Sequence, residues 1–152
     1  MIRIAKKEDL VELAKIYGEL YKEIDLGERW STESAKRYLE YWLEKQNDLF
    51  FVAEEDGNAV GGIVSIVKPW FDGNRLFDTE LFVSPKYQHK HLGSLLLKRH
   101  LSEAIKRYNC TVIEFHTYGS EQGFPQNWYY RIGCKKDEKL TIMKAKLSEV
   151  AL

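Results

Sequence analysis

Leu81-Phe82-Val83-Ser84-Pro85-Lys86-Tyr87-Gln88-His89-Lys90-His91-Leu92-Gly93-Ser94 is the stretch whose reading decides the fold. Before it, Leu76 to Val83 reads as a strand, and Ser84-Pro85 stops it because proline withholds a ladder donor. After it, Leu92, Leu95, Leu96, Leu101, Ala104, Ile105 and Tyr108 recur at helical spacing, and Thr111 to Phe115 is a β-rich run. Strand, polar loop, helix and strand in that order predict a βαβ unit with parallel pairing.

Working outward, residues 2–5 alternate as a short strand, and Leu10, Leu13, Tyr17, Leu20, Tyr21 and Ile24 share one face of a helix ending near residue 25. A second helix follows, with Ser31 and Thr32 as N-cap candidates and Tyr38, Leu39, Trp42 and Leu43 at helical spacing. Trp30, Tyr38, Tyr41 and Trp42 read as core and rim of this helical cover. Leu49 to Glu54, the turn Asp56-Gly57-Asn58, and Ala59 to Val67 form an expected antiparallel hairpin. Gly61-Gly62 signals a bulge or a close backbone approach. Pro69, Asp72, Gly73 and Asn74 read as a loop ending the hairpin. Downstream, a short helix from about Gln126 to Ile132, stopped by Gly133, leads to an expected final strand near Leu140 to Leu147. Together these predict one α/β domain over residues 1–152, with a mixed sheet and about four helices.

The 152 residues carry 23 Lys+Arg and 23 Asp+Glu, for a formal net charge of zero, with 44% hydrophobic residues. That balance excludes a general nucleic-acid binder, which needs a cationic surplus to neutralise phosphates. No apolar run is long enough to span a bilayer, so no membrane partner is expected. Cys110 and Cys134 cannot make a disulfide framework, and Met1-Ile2-Arg3-Ile4-Ala5-Lys6 has no signal-peptide core. A reducing cytoplasm is therefore the expected location. His89 and His91, even with His100 or Cys110, match no zinc spacing, so no metal is expected.

A loop opening a helix offers free backbone N–H groups, which together with the helix dipole favour an anion such as a phosphate. The loop has neither a P-loop lysine pattern nor Gly-x-Gly-x-x-Gly, so neither an NTPase nor a dinucleotide enzyme is supported.

On two motifs the sequence resembles the GNAT N-acetyltransferases. Their acetyl-CoA loop has the pattern Gln/Arg-x-x-Gly-x-Gly/Ala between the fourth strand and the third helix. Gln88-His89-Lys90-His91-Leu92-Gly93 fills that slot, preceded by Leu81, Val83 and Pro85 and followed by Leu95-Leu96. Gly93 matches the last glycine, while His91 stands where the pattern has its first. Trp128-Tyr129-Tyr130-Arg131-Ile132-Gly133-Cys134 resembles the family's aromatic-Tyr-x-Lys-x-Gly-aromatic segment. The order of elements matches over nearly the whole chain and implies a mixed sheet of six to seven strands.

The resemblance implies direct transfer of an acetyl group from acetyl-CoA, as cosubstrate, to a primary amine in a ternary complex. Leu81, Phe82 and Val83 would meet the pantetheine arm, with a backbone N–H near Val83 for the oxyanion. Gln88, His89, Lys90, His91, Leu92, Gly93 and Ser94 would hold the pyrophosphate. An Asn that touches the arm in relatives has Gln122 in its place here, with Asn127 as the fallback. Transfer also needs a base for an ammonium of reference pKa about 10.4 and an acid for the leaving thiolate. Glu80 is the first choice for base, with Asp78 beside it and His116 as the alternative. Tyr129 occupies the acid position, with Tyr130 as the register alternative.

The charge balance hides a segregation. Residues 1–80 hold 17 acidic and 11 basic residues, whereas residues 81–102 hold no acid, four cations and three histidines. In the family the first half builds the acceptor site, so an acidic half predicts a cationic small-molecule amine. A protein N-terminus or lysine is the alternative acceptor. A CoA-binding sensory module and a small nucleotide-binding protein are the competing functions. Many relatives are dimers, so a homodimer is a further expectation.

Overall fold

The computed structural model describes residues 1–24, 26–119 and 123–150. It divides into two compact units, Met1–His116 and Thr117–Leu152, each taken by itself.

The first unit is built on a sheet of β1 (Ile2–Ile4), β2 (Phe51–Glu55), β3 (Asn58–Trp70), β4 (Gly73–Val83) and β5 (Cys110–Glu114), in that spatial order. The first three pairings are antiparallel and β4–β5 is parallel. Five strands thus stand, among the described residues, where six to seven were expected. The helices are α1 (Leu10–Glu23), α2 (Thr32–Lys45) and α3 (Leu92–Tyr108). Ser31 caps α2: its Oγ accepts from the Ser34 N–H at 3.0 Å, and Ser34 Oγ accepts from the Ser31 N–H at 2.9 Å. Leu10, Leu13, Tyr17, Leu39 and Trp42 are buried with Val64 and Phe82 in the main core, and Ile66 packs on its rim. The α3 helix crosses from β4 to β5 and buries Leu96, Leu97 and His100.

Asp56 and Gly57 both take positive φ, so the β2–β3 hairpin closes through the mirror-image turn that its strand twist requires. The β3–β4 connection departs from expectation. Pro69 pairs with Asn74 and Trp70 with Gly73, leaving only Phe71-Asp72 as the turn. Proline is tolerated because β2 covers β3 only as far as Ile63, so residues 64–70 meet no strand on that side among the described residues.

In the second unit, α4 (Gln126–Arg131) follows Pro125. The expected final strand at 140–147 does not form: those described residues have no ladder partner, and Leu140, Ile142, Met143 and Leu147 are exposed. A β-rich run becomes a strand only where another segment supplies backbone partners. No described helix is long and apolar enough to cross a membrane.

Candidate active site

The parallel ladder between β4 and β5 ends at Phe77 and Glu114. Beyond that point Leu81, Phe82 and Val83 keep only β3 as a ladder partner, pairing with Ile63, Gly62 and Gly61. Gly61 is needed for this closeness, because a Cβ there would lie 2.7 Å from the Phe82 carbonyl oxygen. On the opposite edge of β4 the peptide groups of Leu81–Val83 face no strand among the described residues. One is occupied: the Val83 carbonyl accepts from Gln88 Nε2 at 3.2 Å.

The loop after β4 makes a 3-10 turn at Pro85–Tyr87 and then winds through two left-handed residues, His89 (φ +62°) and His91 (φ +60°). His91 is the residue before α3 and makes no side-chain cap, although its carbonyl accepts from the Leu95 N–H at 3.0 Å. It adopts the backbone for which glycine is usually chosen. The N–H groups of Leu92, Gly93 and Ser94 have no acceptor within the helix, and no acid stands in its first turn. Nothing lies within 4 Å of the space a Cβ on Gly93 would take. Lys90 Nζ sits 4.9 Å above the Tyr87 ring, beside this open, cationic helix end. An anion with a flat approach to the backbone fits such a cradle.

Glu80 lies on β4 just before the unpaired stretch. Its carboxylate accepts from Tyr38 Oη at 2.7 Å and from Tyr17 Oη at 3.1 Å. Burial pushes its pKa up, against the lowering effect of the two phenols, and the nearby charges of Asp78 and Glu28 push the same way. Burial and the Glu80 charge push both tyrosines well above the usual phenol range, so they remain O–H donors. No Lys, Arg or His pairs with Glu80 among the described residues. Tyr17 carries an aromatic nest: its ring centroid is 4.6 Å from Tyr21, 5.3 Å from Trp30 and 5.2 Å from Phe82. Trp30 Nε1 donates to Glu28 at 2.6 Å. His116, two residues past the end of β5, has an exposed ring whose Nδ1 is 3.6 Å from Asp78 Oδ1.

The first unit thus brings together Glu80, Asp78, His116, Leu81–Val83 and the loop from Gln88 to Ser94. In the second unit Tyr129 is half-buried on α4 with its ring centroid 4.9 Å from that of Trp128. Tyr130 is exposed and its Oη accepts from Gln126 Nε2 at 3.0 Å. Asn127 is exposed, and its N–H donates to the Gly123 carbonyl at 2.7 Å. Gln122 lies outside the described residues. The phenols of Tyr17 and Tyr38 were missed from sequence, where helical spacing assigned both rings to packing. Their one available signal was a hydroxyl on a helix face otherwise read as apolar.

Residues 10–133 match the model of the acetyltransferase (GNAT) family. The chain is 31% identical over 113 residues to an uncharacterized N-acetyltransferase of Archaeoglobus fulgidus, a match covering 70% of this chain and 74% of that protein. Among solved structures, a possible acetyltransferase from Clostridium difficile 630 superposes with a TM-score of 0.76 at 17% identity, over 96% of this chain and 97% of that one. A predicted acetyltransferase from Clostridium acetobutylicum, solved with acetyl-CoA, gives 0.68 at 20% identity over 95% of each chain. These two structures speak for the fold alone.

Proposed function

The chain belongs to the acetyltransferase (GNAT) family, and from that premise we propose that Glu80 deprotonates a cationic small-molecule amine at the open edge of β4. Membership makes the protein an acetyl-CoA-dependent N-acetyltransferase. Acetyl-CoA, when bound, supplies an activated acyl group carried on a polyanionic handle. The residues present fit that handle: the open space at Gly93, the free N–H groups of Leu92–Ser94 and the acid-free cationic segment around them all favour phosphates. Gln88, His89, Lys90 and His91 shape the loop. The edge of β4 at Leu81–Val83 offers the outward peptide groups of Leu81 and Val83 to an amide-bearing arm, with Phe82 between them bonded toward β3, and an N–H near Val83 would steady negative charge developing on the acyl oxygen.

Glu80 takes the proton as the amine nitrogen bonds to the acyl carbon and the carbon–sulfur bond breaks. Its raised pKa suits the task, because a base works best when its pKa lies near the operating pH. Tyr17 and Tyr38 hold the carboxylate in place and neutral phenols do not compete for the proton. Tyr129 returns a proton to the leaving thiolate, a role assigned from the motif that surrounds it, with Asn127 as a contact to the arm. The observation that carries the reading is a half-buried carboxylate, held by two phenols and with no cationic partner among the described residues, beside a strand edge that β5 no longer covers. The same feature supports a cationic acceptor, since Glu28, Asp78 and Glu80 crowd like charge around an aromatic nest.

Initial rates over a panel of amines test this. Diamines and lysine-like amines should be preferred, and kcat/KM should fall as ionic strength rises. Acetylation confined to neutral or anionic amines, or to protein N-termini, would overturn the acceptor assignment. Loss of turnover in Tyr129→Phe, with acetyl-CoA binding kept, would support the acid. The remaining expectations join the proposal: a single domain over residues 1–152, cytoplasmic, working as a homodimer measurable by analytical ultracentrifugation.

A further inference from the structure

β4 does not run regularly into the site. Val64 pairs with Glu80, but two steps along β3 Ile66 pairs with Phe77, so Asp78 and Thr79 together face the single residue Ser65. Asp78 takes the strain of this bulge with φ +56°. The consequence is a change of face. In an unbulged ladder continued from Ile66 and Phe77, Glu80 would stand opposite Ile63, on the other side of the sheet from Val64 and Ile66. The extra residue is what turns the carboxylate toward Tyr17 and Tyr38.

Beneath the bulge runs a buried polar chain. His100 Nδ1 is 3.0 Å from the Leu49 carbonyl oxygen, His100 Nε2 is 2.7 Å from Ser65 Oγ, and Ser65 Oγ is 2.8 Å from Thr79 Oγ1. His100 and Ser65 are wholly buried. The direction of every proton follows from the one group that can only accept. The Leu49 carbonyl requires N–H at Nδ1, which leaves Nε2 of a neutral ring as an acceptor for the Ser65 hydroxyl. Ser65, its proton spent, accepts from Thr79. Burial lowers the His100 pKa to about 4, so the ring stays neutral at ordinary pH.

We propose that Thr79, Ser65 and His100 are positioning residues that lock the β4 bulge and so aim Glu80 at the acceptor site. Only the bulged register satisfies the chain. In the regular one Thr79 would oppose Val64 on the opposite face, so Ser65 Oγ would keep its bond to His100 but lose the donor that Thr79 supplies in a buried layer. The inference rests on the reading of Glu80 as base. The charged and titratable groups facing Glu80 are Tyr17 on α1, Tyr38 on α2, Glu28 between them and Asp78 on its own strand.

Thr79→Val keeps the shape and removes the donor, and Thr79→Ser keeps the donor. We expect Thr79→Val to lower kcat by about 10- to 100-fold, the range expected for a misplacement near 1 Å. The acid limb of its pH–rate profile should move while KM for acetyl-CoA stays within about two-fold, and Thr79→Ser should restore both. Wild-type kcat and profile in Thr79→Val, with Glu80→Gln inactive, would overturn the positioning role alone. Full activity in Glu80→Gln would instead overturn the base. Should Thr79→Val not fold, the ring nitrogens of His100 in the unmodified protein decide by NMR. An Nδ1–H tautomer is expected, and an Nε2–H tautomer would reverse the chain and refute it.

Discussion

Gly61→Ala places a methyl group where β3 and β4 press together. An ideal Cβ at residue 61 lies 2.7 Å from the Phe82 carbonyl oxygen and 3.0 Å from Val83 Cα. Both are backbone atoms held in a ladder, so neither can rotate away and the strands must part. Overpacking costs about 1–3 kcal/mol, and a clash with backbone on the facing strand belongs at the upper end, about 3 kcal/mol. For a domain of this size each kcal/mol moves Tm by about 2–4 °C, so a fall of about 6–12 °C is expected. Gly62→Ala is the internal control. Its Cβ would meet Phe82 Cζ at 3.1 Å and Phe50 Cε2 at 3.3 Å, both ring edges that can shift. About 1 kcal/mol and 2–4 °C are expected there. Parting at residue 61 also displaces Phe82 and Val83, so KM for acetyl-CoA should rise several-fold in Gly61→Ala. Thermal melting and denaturant titration, paired with steady-state kinetics, read both effects. A Gly61→Ala protein melting within a degree of its parent, or one less perturbed than Gly62→Ala, would refute the reasoning.

His91→Gly exchanges left-handed strain of about 1 kcal/mol for extra freedom in the unfolded chain of similar size, so its Tm should barely move, whereas His91→Val should lose about 1–2 kcal/mol by denaturant titration. Glu80→Gln should cut kcat by about 10²- to 10⁴-fold and abolish the acid limb of the rate profile. Because folding raises the Glu80 pKa, its stabilising contribution is present below the unfolded pKa and lost as pH rises, so Glu80→Gln should be at least as stable as the parent at pH 8. His100 has the opposite sign. Its folded pKa of about 4 against 6.5 gives about 3 kcal/mol of stability present above pH 6.5 and lost as pH falls toward 4. Urea unfolding of His100→Gln across that window should show a flatter pH dependence than the parent.

The helical faces, the Asp56-Gly57 hairpin and the βα loop were legible because each rests on a local rule: periodicity of 3.6, a turn that needs positive φ, and a helix end that needs an anion. Pro69 and Asn74 were misread as loop because turn-forming residues cluster there, and nothing local reveals that β2 stops at Ile63 and leaves an edge that tolerates proline. The 140–147 run has no ladder partner among the described residues, a fact of tertiary pairing. Glu80 was singled out from the family pattern, yet its environment was not visible. Tyr17 and Tyr38 lie 63 and 42 residues away from it in sequence, and no spacing rule brings them together. The bulge at Asp78 was equally hidden, since one left-handed aspartate leaves no periodic trace. It made Asp78 and Glu80 look like simple neighbours on one face.

The edge of β3 from residue 64 to 70, which no described strand pairs, is also a hazard, because an unpaired strand is a template on which a second chain can add and aggregate. This chain guards it piece by piece. Gln46 Oε1 accepts from the Val67 N–H at 3.3 Å, removing one donor an intruder would use. Lys68 holds a charge against the rings of Trp70 and Phe77, and Pro69 has no donor to offer. The proline that made this stretch look like a loop thus serves to keep a long hairpin solitary.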